Sequence, residues 1–171
     1  LPVSLLLVHL PDASWPAGLT RATFHSVGLA AAAAIIAAAL GLILAFAARN
    51  GTPLRRAITR MAALGYAVPG TVLALGIMTA LAFLADASVG LIVLSGSATA
   101  LIIAYVVRFL SLSFGTLEAG YTQIAPGLDM AARSLGANMN STLTRVHLPL
   151  LRAPLVTAIL LVFVDVMKEL P

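Results

Sequence analysis

Asp165, Lys168 and Glu169 stand at i, i+3 and i+4 near the end of an apolar run, so a helix there brings all three to one face. Charged groups at membrane depth are costly and default to function, so the trio reads as lining or gating a pathway. A structural ion-pair group at a helix end, with Lys168 snorkelling to the interface, fits the same spacing. Arg108, also inside an apolar run, carries the same two readings, of which interface anchoring is preferred. His9, His25 and His147 are scattered, and Asp165 with Glu169 is too small a set for a hard-cation cage, so no metal site is expected. Without cysteine, disulfides, iron–sulfur clusters and thiolate sites are excluded. A Gly-x-x-x-x-Gly-Lys-Ser/Thr run is also missing, so any ATP would be cradled by another chain. The chain reads as non-catalytic and without a cofactor of its own.

A second polar group lies between the apolar runs. Asp129 and Arg133 are spaced i, i+4 with the acid first, the favourable order for a helical ion pair, and are expected to hold a short helix together. Pro126-Gly127 punctuates the chain before it, and Gly136 is placed to stop it. Leu128, Ala132 and Leu135 recur on one face, while Ala131, Ala132, Ser134 and Gly136 form a small-residue surface that lets another backbone approach. Asn140-Ser141 is read as the cap of a further helix leading to Leu148-Pro149. The alternative is an ordinary loop helix lying against its own bundle.

The elements that carry these residues are membrane helices. Of the 171 residues, 61% are hydrophobic and 9% charged, against roughly 25% charged in a soluble domain. The net charge of +4 comes from arginines and lysines set between apolar runs. It therefore speaks for orientation in a bilayer and against a nucleic-acid partner. About 20 apolar residues cross the ~30 Å hydrocarbon core. Helices are expected at about 23–48, 66–85, 91–114 and 150–168. Alanine runs in the first suit close packing as well as plain helix-forming filler. Residues 1–10 read as the tail of a preceding membrane helix, and 11–22 as an external loop with Trp15 as an interface anchor. Arg49, Arg55, Arg56 and Arg60 form a basic cluster, either topogenic or on an amphipathic interfacial helix. With Arg108, Arg133, Arg145 and Arg152, they place both basic loops in the cytoplasm and Asp86 outside. The connection 117–149 is too long to be structureless.

The spacing in that connection resembles the cytoplasmic signature of ABC importer permeases: Glu-Ala-Ala, three residues, Gly, nine residues, Ile, one residue, Leu-Pro. Here Ala131-Ala132 is followed by three residues and Gly136, then nine more before Val146-His147-Leu148-Pro149. Met130 stands where the signature has Glu. Asp129 is adjacent but about 100° away around a helix. His147, in the variable position, reads as a loop histidine. The resemblance implies an all-α polytopic membrane bundle, the type I ABC importer permease fold, over residues 20–171, truncated and lacking its C-terminal helix. It further implies that Asp129, Met130, Ala131, Ala132, Arg133, Leu135, Gly136, Leu148 and Pro149 form a loop coupled to an ATPase.

The implied partners are a cytoplasmic ABC ATPase dimer that binds ATP, a periplasmic substrate-binding protein, a second permease half or subunit, and the lipid of a bacterial inner membrane. The stretches Gly65-Tyr66-Ala67-Val68-Pro69-Gly70 and Val162-Phe163-Val164-Asp165-Val166-Met167-Lys168-Glu169-Leu170-Pro171 are similar to ferric-iron permeases. Relatives for polyamines, sulfate, thiamine or aminoethylphosphonate share the architecture. A secondary carrier or channel that needs no ATPase, with Asp165 and Lys168 coupling to ions, is the alternative, and a non-catalytic scaffold is a second.

Overall fold

A computed structural model describes residues 18–49 and 98–169, with isolated positions 51, 57, 72, 75–77, 79 and 80. Its described elements are all helical. They are α1 (Leu19–Arg49), α2 (Ala98–Thr122), α3 (Gly127–Ser134), α4 (Met139–Thr142), a π-helical turn (Leu143–His147), α5 (Leu148–Leu150) and α6 (Arg152–Glu169). Helices α1, α2 and α6 pack on one another and make the body of the bundle.

The buried face of α1 is small and its exposed face is large, the reverse of a soluble core helix. On α1 the buried residues include Ala30, Ala34, Ala37, Gly41, Ala45 and Ala48, a stripe at helical spacing. Phe24, Ile35 and Ile43 are exposed on the same helix. On α6 Ala158, Val162 and Val166 are buried at steps of four, while Val156, Leu160 and Val164 are exposed. Lipid solvates large aliphatic groups as well as protein does, so helices in a membrane associate through small residues that let backbones close up. Both α1 and α2 are long and apolar enough to cross a membrane; α6 is so only if counted as one span with residues 139–150 before it, from which it is bent by 74°.

Two apolar clusters divide the bundle along its length. Tyr105, Val106 and Phe109 of α2 fill the space between the alanines of α1 and Val162 and Val166 of α6. At the other end Phe114, Leu117 and Tyr121 meet Ala45, Phe46, Leu151 and Ala158. Glycines make the close approaches. A methyl group on Gly120 would lie 2.7 Å from Pro154 Cγ and 2.8 Å from its Cβ. One on Gly41 would strike the Ser113 side chain and lie 3.1 Å from the Phe114 backbone nitrogen.

Several boundaries differ from the sequence expectation. Residues 19–22 are the first turn of α1 and not external loop: Gly18, at φ +107°, breaks the chain just before them and accepts a 2.9 Å hydrogen bond from Ala22 N. Helix α2 does not stop near 114 but runs to Thr122, because Leu117, Gly120 and Tyr121 are buried against α1 and α6. The connection therefore begins after residue 122, not at 117. The helix expected at 150–168 starts at Arg152, beyond the bend. The expected helix at 66–85, the tail at 1–10, Trp15 and the arginines at 55, 56 and 60 lie outside the described residues, apart from helical positions 72, 75–77, 79 and 80.

Candidate coupling site

The connection between α2 and α6 folds as a chain of short helices, of which α3 is capped at its end and α4 at its start. Helix α3 ends in a Schellman motif: Ala137 N donates to Ala132 O and Gly136 N to Arg133 O, both at 2.9 Å. Gly136 sits at φ +79°, so it supplies the left-handed residue that this motif requires. The next cap is Asn138, not Asn140-Ser141. Asn138 is extended, and its side-chain oxygen accepts from Ser141 N at 2.8 Å, so α4 begins two residues earlier than expected. A π-helical turn then precedes Pro149, which stands in the first turn of α5 where its missing N–H costs nothing.

Asp129 is the hub of this region, and it does not pair with Arg133. Its Oδ2 accepts from Arg49 Nε at 2.9 Å, and its Oδ1 lies 2.6 Å from His147 Nε2. Arg49 is the last residue of α1, and its two terminal nitrogens donate to the carbonyls of Tyr121 (2.9 Å) and Ile124 (3.0 Å). Those carbonyls belong to the frayed end of α2, where helix geometry leaves acceptors without partners, and a cation is favoured there. The guanidinium carbon also sits 5.5 Å from the centre of the Tyr121 ring. Arg49 thus ties α1, α2 and α3 together. An i, i+4 pair at the surface is worth a few tenths of a kcal/mol, and the partly buried fork of Arg49 outcompetes it.

His147 is fully buried, which corrects its reading as a loop histidine. Its ring is wedged edge-on between Phe46, with centroids 5.4 Å apart, and Tyr121 at 5.3 Å. The Tyr121 hydroxyl faces Nδ1 at 3.4 Å. Burial works against the charge on Asp129, but the hydrogen bonds from Arg49 and His147 and the attraction of both outweigh it, holding the carboxyl below its usual value. An ionised carboxylate only accepts, so the hydrogen between it and His147 resides on Nε2.

Most of the remaining signature residues point outward. Met130, in the position of the signature's Glu, is 66% exposed, and Leu135 is 88% exposed. Leu128 is exposed as well, so Leu128, Ala132 and Leu135 do not make one buried face; only Ala132 turns inward. Ala131, Arg133, Ser134, Gly136, Leu148 and Pro149 are also exposed. A cavity of about 320 Å³ opens beside Asp129, lined also by Phe46, Arg133, Ala137, Met139 and Thr142.

At the far end of α6, Lys168 Nζ donates to Asp165 Oδ1 at 2.9 Å. Glu169 does not join them. It pairs with Arg108 Nη2 of α2 at 2.7 Å, which turns Arg108 from an interface anchor into an interhelical partner. Nε and Nη1 of Arg108 and the Ser111 hydroxyl are buried without a hydrogen-bond partner among the described residues. Sequence reasoning missed Arg49, Phe46, Tyr121 and His147 as members of the first site. The one available signal was that Arg49 and His147 interrupt or flank apolar runs, which says nothing of what they meet.

Residues 37–170 match the family described as "Binding-protein-dependent transport system inner membrane component". Over 159 residues, 92% of this chain, it is 30% identical to the "Putative ferric transport system permease protein FbpB 1" of Haemophilus influenzae. The chain spans only 23% of that relative's length. With small-residue packing between apolar helices and the signature spacing from Ala131 to Pro149 on the same chain, this match over most of its length places it among the ABC importer permeases, as a member of the binding-protein-dependent transport system inner membrane components.

Proposed function

We propose that this chain forms part of the membrane pathway of an ATP-driven importer, with α3 as its docking element for a cytoplasmic ATPase. The observation that carries the reading is the two-sided character of α3. Asp129 faces inward into the bundle, while Met130 and Leu135 face outward and are exposed among the described residues. A helix held from behind and bare in front is suited to enter a partner's cleft. In this chain the bare side carries a thioether and an aliphatic group where a glutamate would stand, so the contact is apolar at its centre, with Arg133 exposed beside it. ATP is bound by the partner, as an ATPase dimer. A second permease half, a periplasmic binding protein that delivers the substrate, and a multi-pass setting in a bacterial inner membrane complete the assembly.

The proposed substrate is ferric iron, supported by the likeness to a protein named for ferric transport. Asp165, Lys168 and Glu169 line or gate the pathway in this reading. Reconstitution of the full-length protein with its ATPase and binding protein tests it. Iron uptake into proteoliposomes should require ATP hydrolysis. Uptake that persists without ATP would contradict an ATP-driven importer, and ATP-driven uptake of a polyamine, sulfate, thiamine or aminoethylphosphonate instead of iron would contradict the substrate alone.

A further inference from the structure

Helix α3 is held to the bundle by very little apolar contact. It buries one side chain, Ala132, and a methyl group contributes little to fixing the direction of an eight-residue helix. What does fix it is polar. Both oxygens of Asp129 are taken, one by Arg49 at the end of α1 and one by His147 in the turn that leads into α6. Arg49 spends its other nitrogens on the end of α2. A single carboxylate therefore ties α3 to the end of α1 directly, to the end of α2 through Arg49, and to the π-helical turn that precedes α5 and α6 through His147.

We propose that Asp129, with Arg49 and His147, is the joint that carries displacement of α3 into the membrane helices, Asp129 acting as a positioning residue for transport. The proposal rests on the docking reading above. Apolar contacts slide at little cost, because they have no preferred direction. Charge-assisted hydrogen bonds are short and directional, so they pass on a push and not only a proximity. The joint sits immediately behind Met130, the exposed residue next in sequence, so load applied to the face of α3 reaches it within one residue. His147 is clamped by Phe46 and Tyr121 from two sides, so it moves with α1 and α2 and does not rotate away.

A merely structural clamp would lower stability and leave the stoichiometry of transport alone, so stoichiometry is the decisive readout. The full-length protein, assembled with its ATPase and binding protein in proteoliposomes, is compared with Asp129→Asn, Arg49→Lys and the double variant. Substrate imported per ATP hydrolysed is measured for each, alongside the thermal midpoint of the complex. Arg49→Lys keeps the charge and removes the fork, so it remains informative should Asp129→Asn fail to assemble. Each single variant is expected to lower the ratio about tenfold, and the double variant to fall no further than the worse single one. A lowered midpoint with an unchanged ratio would overturn the joint, and so would losses that multiply in the double variant. If the wild-type complex itself imports without ATP, the docking reading fails and takes the joint with it. An unchanged ratio in variants of an ATP-driven wild type removes the joint alone.

Discussion

Arg49 Nε and Asp129 Oδ2 stand 2.9 Å apart although eighty residues separate them in the chain. The pair joins the end of a membrane helix to the short helix that faces the proposed partner. Removing the carboxylate leaves Nε of Arg49 and Nε2 of the buried His147 ring each without an acceptor. Asp129→Ala is expected to destabilise the protein by about 2–3 kcal/mol. Denaturation of the purified protein in detergent measures this, and a change below a few tenths of a kcal/mol would contradict it.

The same carboxyl sets an acid limb. Its folded value is lowered, so its contribution is fully present above the ordinary carboxylate value of about 3.9 and is lost as pH falls through the lowered one. Wild-type stability should therefore fall in strong acid more steeply than that of Asp129→Asn. Thermal midpoints recorded from neutral pH down to about 2 would show the two curves converging; parallel curves would speak against a charged Asp129 in the folded state.

Gly120 lies against the ring of Pro154, which cannot rotate away. Gly120→Ala is expected to cost about 1–3 kcal/mol through overpacking of α2 on α6. The counterpart control is Gly115, where an added methyl meets nothing within 4 Å, and Gly115→Ala should be neutral or mildly stabilising. Equal midpoints for the two variants would refute the close crossing.

Two acids on α6 have different surroundings. Lys168 is 71% exposed and pairs with Asp165 one turn away, whereas Glu169 reaches across to Arg108 of α2. Lys168→Met should change stability by less than about 1 kcal/mol. Glu169→Gln should cost about 1–3 kcal/mol, because it leaves Arg108, two of whose nitrogens are already buried without partners among the described residues, short of its carboxylate. Equal effects of the two variants would mean that the interhelical pair carries no weight.

The fold class was legible because it depends on local periodicity. The apolar runs, the small residues at helical spacing and Gly136 as a stop each express physics within a few residues. The C-terminal end of α2 was less legible. It is set by burial of Leu117, Gly120 and Tyr121 against other helices, a tertiary term with no local marker. The site divides in the same way. Spacing from Ala131 to Pro149 marked the loop, but the partners of Asp129 were hidden. Arg133 was the nearest cation in sequence, and only the fold reveals that Arg49 and His147 converge from elsewhere. The exposure of Met130 could not be separated from burial by pattern alone, because both neighbours of the signature's Ala-Ala pair are compatible with either face.

Gly136 supports the cap by its positive φ, so substitutions there disturb the loop itself, and the outward residues test docking more cleanly. These 171 residues contain no cysteine, so Met130→Cys introduces the single thiol of this stretch, on the exposed side of α3. A thiol-to-amine cross-linker attached there, in membranes that contain the full-length protein and its ATPase, asks directly what covers α3. The account predicts a cross-linked product containing the ATPase, with a yield that changes when ATP is added. A thiol that links only to its own bundle, or to lipid with the ATPase present, would contradict the assignment of α3 as the docking surface.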